Sequence, residues 1–338
     1  MTGETLEGLG LTLLAGAMSG NCMLPFKFAR RWRFENIWLI FSIVSLVILP
    51  WALALASVRG LPEIYRSLPL TAFAAPLLWG AGWGVAQILF GISVRRLGLG
   101  LGYAIIVGLG AVLGTIVPLF LGRRSLPGVM ALSEILAGVT MMILGVALTA
   151  WGGKLRDCAL QTQTISELPR RGYVTSILLA ILCGLMAPML NYAFAFGQAL
   201  AAQAVRWGNA PIAAAYAIWP IALFGGFVPN LLYSLYLLRR EKTWSVFRET
   251  HTDAVWPTLM ALLWMGAFAL YGMSSVLLGS LGTSVGWGLF QIFMIMTATL
   301  SGLLTHEWSG APRRSLVLLA AGLCLLFGAT CLLSIGSS

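Results

Sequence analysis

Four side chains able both to donate and to accept hydrogen bonds lie near the centres of long apolar runs: Gln87, Asn191, Tyr192 and Gln291. A fifth, Asn21, sits toward one end of such a run. Polar side chains deep in an apolar medium are costly, so they face either a cavity or a neighbouring helix. Amides and a phenol suit the hydroxyls of a sugar, which also give and take hydrogen bonds. Trp83, Trp219 and Trp287 lie mid-run as well, with Tyr103, Tyr216 and Tyr271 next, and offer flat faces for the apolar side of a pyranose ring. Each has a plainer reading, as an interhelical bond for the amides and as packing for the indoles.

Bond-making chemistry is poorly supported. No DxD, paired histidines or activated Ser or Cys arrangement is present, which argues against an enzyme. The cysteines, Cys22, Cys158, Cys183, Cys324 and Cys331, are odd in number and form no CxxC. His251 and His306 are far apart and no HExxH exists, so neither a disulfide framework nor a metal site is implied. A GxxxxGK[ST] loop is missing too, which argues against a nucleotide-driven pump. No cofactor is expected. For a coupling proton, the candidates are Glu134, about a turn inside its run, His306 beside Glu307, and Lys27 just after Pro25. The alternatives for these three are a helix-end anchor, a solvated loop and a topology signal.

These residues need elements to hold them. The 338-residue chain is 59% hydrophobic and 9% charged, with mean hydropathy +0.89. Soluble domains carry about 25% charged residues, so this composition reads as an all-α polytopic membrane protein whose partner is the lipid bilayer. A crossing needs about 20 apolar residues, and ten segments qualify: 9–26, 37–58, 70–94, 97–121, 129–151, 173–197, 212–238, 254–278, 282–304 and 315–335. The net charge of +10 does not mark a nucleic-acid binder, because the basic residues form short clusters between apolar runs. Of the 21 Lys and Arg, 16 fall in the loops after the odd-numbered segments. The densest cluster, Lys27, Arg30, Arg31 and Arg33, is the first of those loops. The positive-inside rule places them in the cytoplasm and both termini outside.

Ten segments divide into five and five, and an odd number per half inverts the second half. "LLWGAGWGVAQILFG" from Leu77 is echoed by "LLWMGAFALYGMSS" from Leu262, and the run from Arg96 by the run from Ser280. We therefore expect two inverted five-helix repeats, 1–151 and 173–338, joined by a cytoplasmic linker over 152–172. Inverted repeats are a signature of transporters that bind near the midplane, often beside helices interrupted by Gly or Pro. Pro188 and Pro220 fall mid-segment, and Gly108, Gly110 and Gly114 loosen the fourth.

The first hairpin, "PFKFARRWRFENIWLIFSIVSLVILPWALA" from Pro25, resembles the L-rhamnose–proton symporter family of the drug/metabolite transporter superfamily. "WGAGWGVAQILFG" followed by "RRLGLGLG", "LCGLMAP" and "HEWSGAPRR" are similar to that family in the same order. The resemblance implies ten helices in two inverted repeats, and proton-driven sugar uptake across a bacterial inner membrane. It also implies a substrate role for Gln87, where the family carries an amide. Asn191 with Tyr192, and Thr283 with Ser284, depart from the family pattern. The residues themselves leave two alternatives open: a carrier or facilitator for another small polar metabolite, and a non-transporting sensor or assembly protein. No obligate protein partner is inferred.

Overall fold

The computed structural model describes residues 3–97, 99–121, 128–160 and 170–336, leaving aside eleven of their side chains, that of Tyr103 among them. The described residues form helices and contain no β-strand. In chain order the helices begin with α1 (Gly3–Asn21), α2 (Phe34–Ile43), α3 (Leu49–Ser57), α4 (Leu61–Ser67), α5 (Thr71–Leu97), α6 (Leu99–Leu121) and α7 (Val129–Ala159). They continue with α8 (Arg170–Met186), α9 (Met189–Phe196), α10 (Gln198–Arg206), α11 (Pro211–Ala215), α12 (Trp219–Glu241), α13 (Val246–Glu249), α14 (Val255–Leu277), α15 (Val285–Leu304) and α16 (Arg313–Gly336). Among the described residues, nine helical segments are long and apolar enough to cross a membrane, while the apolar stretch Ile105–Phe120 within α6 is shorter. The chain is a multi-pass membrane protein.

Some prolines interrupt the spans through the missing N–H and the ring clash, while Pro76, Pro118 and Pro229 lie inside continuous helices. The segment expected as the sixth crossing divides at Pro188, which caps α9 after α8 has ended. The seventh begins as α11 and restarts as α12, each with Pro in its first turn, the position where a lost donor costs least. In the second span a π turn over Val44–Ile48 joins α2 to α3 just before Pro50.

Two features differ from the sequence reading. α7 does not stop near residue 151 but runs on to Ala159, taking in the first part of the expected linker. Its Gly152 reads as a breaker, yet its role is contact: a Cβ there would lie 2.8 Å from the Ser315 carbonyl oxygen on α16. The second is a pair of short helices in the loops, α4 and α10, packed on each other and stitched by Asn209, which donates to the Arg59 and Ala204 carbonyls at 3.1 and 3.0 Å.

Helix packing fixes the frame around the centre. The broadest contacts are α7 with α16, α5 with α12, and α1 with both α14 and α15. α6 packs on α7 and α8, α5 on α8 and α9, α2 on α12 and α14, and α15 on α6 and α16. At the α5–α12 seam, a Cβ on Gly80 or Gly84 would overlap the carbonyl oxygen of Ala222 or Gly226. Without a hydrophobic drive between helices in lipid, such close backbone approach supplies the packing. Large apolar side chains such as Leu14, Leu55, Leu78, Leu232 and Phe327 point outward, as a lipid-facing surface requires.

Candidate functional site: a central cavity open at one end

Between these helices lies a cavity of about 590 Å³, within the range of small-molecule sites. Trp83, Gln87 and Phe90 of α5, Trp264 and Phe268 of α14, and Trp287, Phe290 and Gln291 of α15 lie on its walls. Ile106 of α6 and Cys183 of α8 add an apolar side. At the mouth stand Lys27, Arg156, Asp157, Glu307 and Trp308, which follow or end α1, α7 and α15. Those ends carry the basic loops that the charge count assigns to the cytoplasm.

Gln87 and Gln291 differ from the other described amides. Neither has a hydrogen-bond partner among the described residues, and both lie on the cavity wall. Each sits four residues after a lining tryptophan, Trp83 before Gln87 and Trp287 before Gln291. Residues four apart share one helix face, so each helix presents an indole and an amide side by side. Trp83 stacks on Trp264 with ring centroids 5.4 Å apart and planes at 26°, and Trp264 abuts Phe268 at 4.4 Å. The result is an amphipathic chamber of aromatic faces with two free amides, which matches a sugar's hydroxyl edge and its apolar ring face.

The other candidates have different surroundings. Asn21 lines the cavity but is already engaged, donating to the Ala17 carbonyl at 2.8 Å and accepting from the Ser301 hydroxyl. Asn191 is buried beyond the cavity, bonded to Gly114, Thr283 and Tyr271. Tyr192 donates to the Leu113 carbonyl at 2.9 Å. Trp219 is fully buried against Phe194, centroids 4.9 Å apart. Tyr103 falls outside the described side chains. Of the titratable candidates, Lys27 is at the mouth and pairs with Glu307. Glu134 is half-buried on α7 and absent from the lining, as is His306, exposed in a left-handed turn at φ 60°.

Sequence reasoning missed the second ion pair. Arg156 donates through Nε and Nη2 to one Asp157 oxygen at 2.8 and 2.6 Å, and its guanidinium lies 4.6 Å from the Trp308 ring centre. Both charged side chains are largely buried. Both fall within the expected linker over 152–172, and the continuation of α7 is what carries them to the cavity. Trp264 was passed over as well, although its segment echoes that of Trp79.

This arrangement of chamber, amides and aromatic walls sits in a chain whose residues 5–338 match the L-rhamnose-proton symport protein (RhaT) family. The chain belongs to that family. It is accordingly a symport protein rather than an enzyme. The L-rhamnose-proton symporters of Yersinia pestis (strain Pestoides F) and Klebsiella pneumoniae (strain 342) are each 26% identical to it over 333 residues, covering 96% of this chain and 96% of theirs. A protein of known crystal structure is similar over 96% of this chain and 95% of its own, with TM-score 0.59 and 14% identity. At that identity the likeness speaks to fold alone.

Proposed function

We propose that this protein takes up L-rhamnose with a proton across a bacterial inner membrane by alternating access, and that the present conformation opens to the cytoplasm. The observation that carries the reading is the pair of unpartnered amides, Gln87 and Gln291, facing an aromatic chamber. A protein that needed those amides for its own packing would have bonded them, as it bonds Asn191 and Asn230.

Ten crossing helices in two inverted repeats, 1–151 and 173–338, are part of the same proposal. Support comes from the packing pattern, which is preserved when each span is exchanged for the one five places away. Contacts of α1 with α14 and α15 exchange with contacts of α8 with α5 and α6. Those of α5 with α12 exchange with α14 on α2, and α6 on α7 with α15 on α16. The α7–α16, α6–α15 and α2–α12 pairs map onto themselves. An inverted duplication has that property, and it places both termini outside if the basic loops are cytoplasmic.

For the proton, the acidic side chains on the lining, among the described residues, are Asp157 and Glu307. Each faces a cation, Arg156 and Lys27. We place coupling on these two pairs. The test is uptake of labelled L-rhamnose into proteoliposomes with an alkaline interior, with and without a protonophore. Accumulation that collapses with the protonophore supports symport, and equilibration indifferent to it removes the coupling. Asp157→Asn and Glu307→Gln should each reduce proton-driven accumulation while sparing sugar exchange at equal pH. Full accumulation in both variants would take the coupling away from the mouth.

A further inference from the structure

The far end of the cavity is closed by a small set of hydrogen bonds that meet at one side chain. Asn191 is 1% exposed and stands in the first turn of α9. Its Nδ2 donates to the Gly114 carbonyl of α6 at 3.0 Å and to the Thr283 carbonyl before α15 at 2.7 Å. Its Oδ1 accepts from the Tyr271 hydroxyl of α14 at 2.5 Å. One carboxamide thus ties α9 to three other elements. A fourth bond runs beside it, from Trp287 Nε1 to the Gly110 carbonyl at 3.2 Å.

Their position relative to the cavity is systematic. On α6 the lining ends at Val107, and the bonded carbonyls are at Gly110 and Gly114. Along the sixth span it ends at Ala187, a turn before Asn191. On α14 it ends at Phe268, a turn before Tyr271, and on α15 it begins at Trp287, a turn after Thr283. On all four elements the bonds lie past the last lining residue on the side away from the mouth, by one turn at Gly110, Asn191, Tyr271 and Thr283 and by about two turns at Gly114. Behind them the buried rings of Phe194 and Trp219 stack at 16°, and the Trp219 N–H has no partner among the described residues.

We propose that Asn191 is the latch of the outer gate: its three bonds hold α14 and the α15 entry against α6 and α9, and their release opens the same chamber to the outside. Among the described residues the seal contains no charged group, so no ion there has to be stripped of its partner when it parts. Asn191 is a positioning residue here. It does not line the chamber in this conformation. The inference rests on the alternating-access reading of the cavity.

The test is the sidedness of a reporter at the closed end. Ala187→Cys is introduced into the full chain with its native cysteines replaced by serine or alanine, and labelled with a membrane-impermeant maleimide in right-side-out and inverted vesicles, without sugar. Ala187→Cys alone should label from the cytoplasmic side and be protected from outside. Adding Asn191→Ala should raise the outside labelling rate about twentyfold, the combined weight of three interhelical bonds of average strength in a membrane. Tyr271→Phe removes one of the three and should raise it about threefold, which also provides a milder variant should Asn191→Ala fold poorly. Outside labelling unchanged by Tyr271→Phe and by folded Asn191→Ala overturns the latch. Shifted labelling in a protein that moves no sugar would retain the latch and remove the sugar-carrier reading. Sugar uptake with unmoved labelling would do the reverse.

Discussion

The assignment of Gln87 and Gln291 to the sugar can be tested by removing only their polar atoms. Gln→Leu keeps the bulk of the side chain and deletes one donor group and one acceptor. A neutral hydrogen bond contributes about 1 kcal/mol net. An amide that gives one bond and takes one from neighbouring hydroxyls therefore contributes about 2 kcal/mol, which corresponds to roughly thirtyfold in Kd. Neither amide holds a described protein group in place, so the folded protein loses no internal bond. Its thermal midpoint should stay unchanged or rise slightly as an unpartnered polar group leaves an apolar wall. The assay is equilibrium binding of L-rhamnose to purified protein, by calorimetry or by the fluorescence of Trp83, Trp264 and Trp287 on the same walls. Gln87→Leu and Gln291→Leu should each weaken binding by about thirtyfold. In the double variant the losses should multiply if one sugar bridges α5 and α15. A Kd within threefold of the parent in both folded single variants would refute the reasoning, because free amides on a substrate cavity would then have no part in binding.

Two further outcomes concern the frame. Gly84→Leu on α5 would push a side chain into the Gly226 backbone. Overpacking of this kind costs about 1–3 kcal/mol or more, so detergent-solubilised protein should show a lower thermal midpoint or reduced folded yield; an unchanged midpoint would mean the seam can part without loss. Asp253, 6% exposed, receives the backbone N–H groups of Arg30, Arg31 and Trp32 at 3.2, 2.7 and 3.0 Å through one oxygen. Asp253→Ala orphans all three and should destabilise the protein by about 2–3 kcal/mol, with protease sensitivity rising in the 27–33 loop, while Asp253→Asn recovers part of the loss; equal effects of both would assign the role to charge rather than to acceptor geometry.

The helices were legible because apolar length is a direct consequence of the membrane's thickness, and the break at Pro188 because a proline has no N–H to give. The end of α7 was not legible. Gly152, Gly153 and Lys154 carry the local signs of a stop, and only the tight approach of α16 explains why the helix continues through them. That extra length delivers Arg156 and Asp157 to the cavity. For the polar residues, depth in the membrane was readable and direction was not. An amide at mid-span looks the same in sequence whether it faces a cavity, as Gln87 does, or a neighbour's carbonyl, as Asn191 does. Spacing could have separated them. Trp83 with Gln87 and Trp287 with Gln291 repeat one pattern at a separation of four, which puts indole and amide on one face. Asn191 and Tyr192 are adjacent, so a helix turns them about 100° apart, and both could not line one wall. They point instead at Gly114 and Leu113, themselves adjacent on α6. A pair of neighbours bonded to a pair of neighbours joins two helices, and at the end of the cavity away from the charged residues such a joint is what the proposed latch requires.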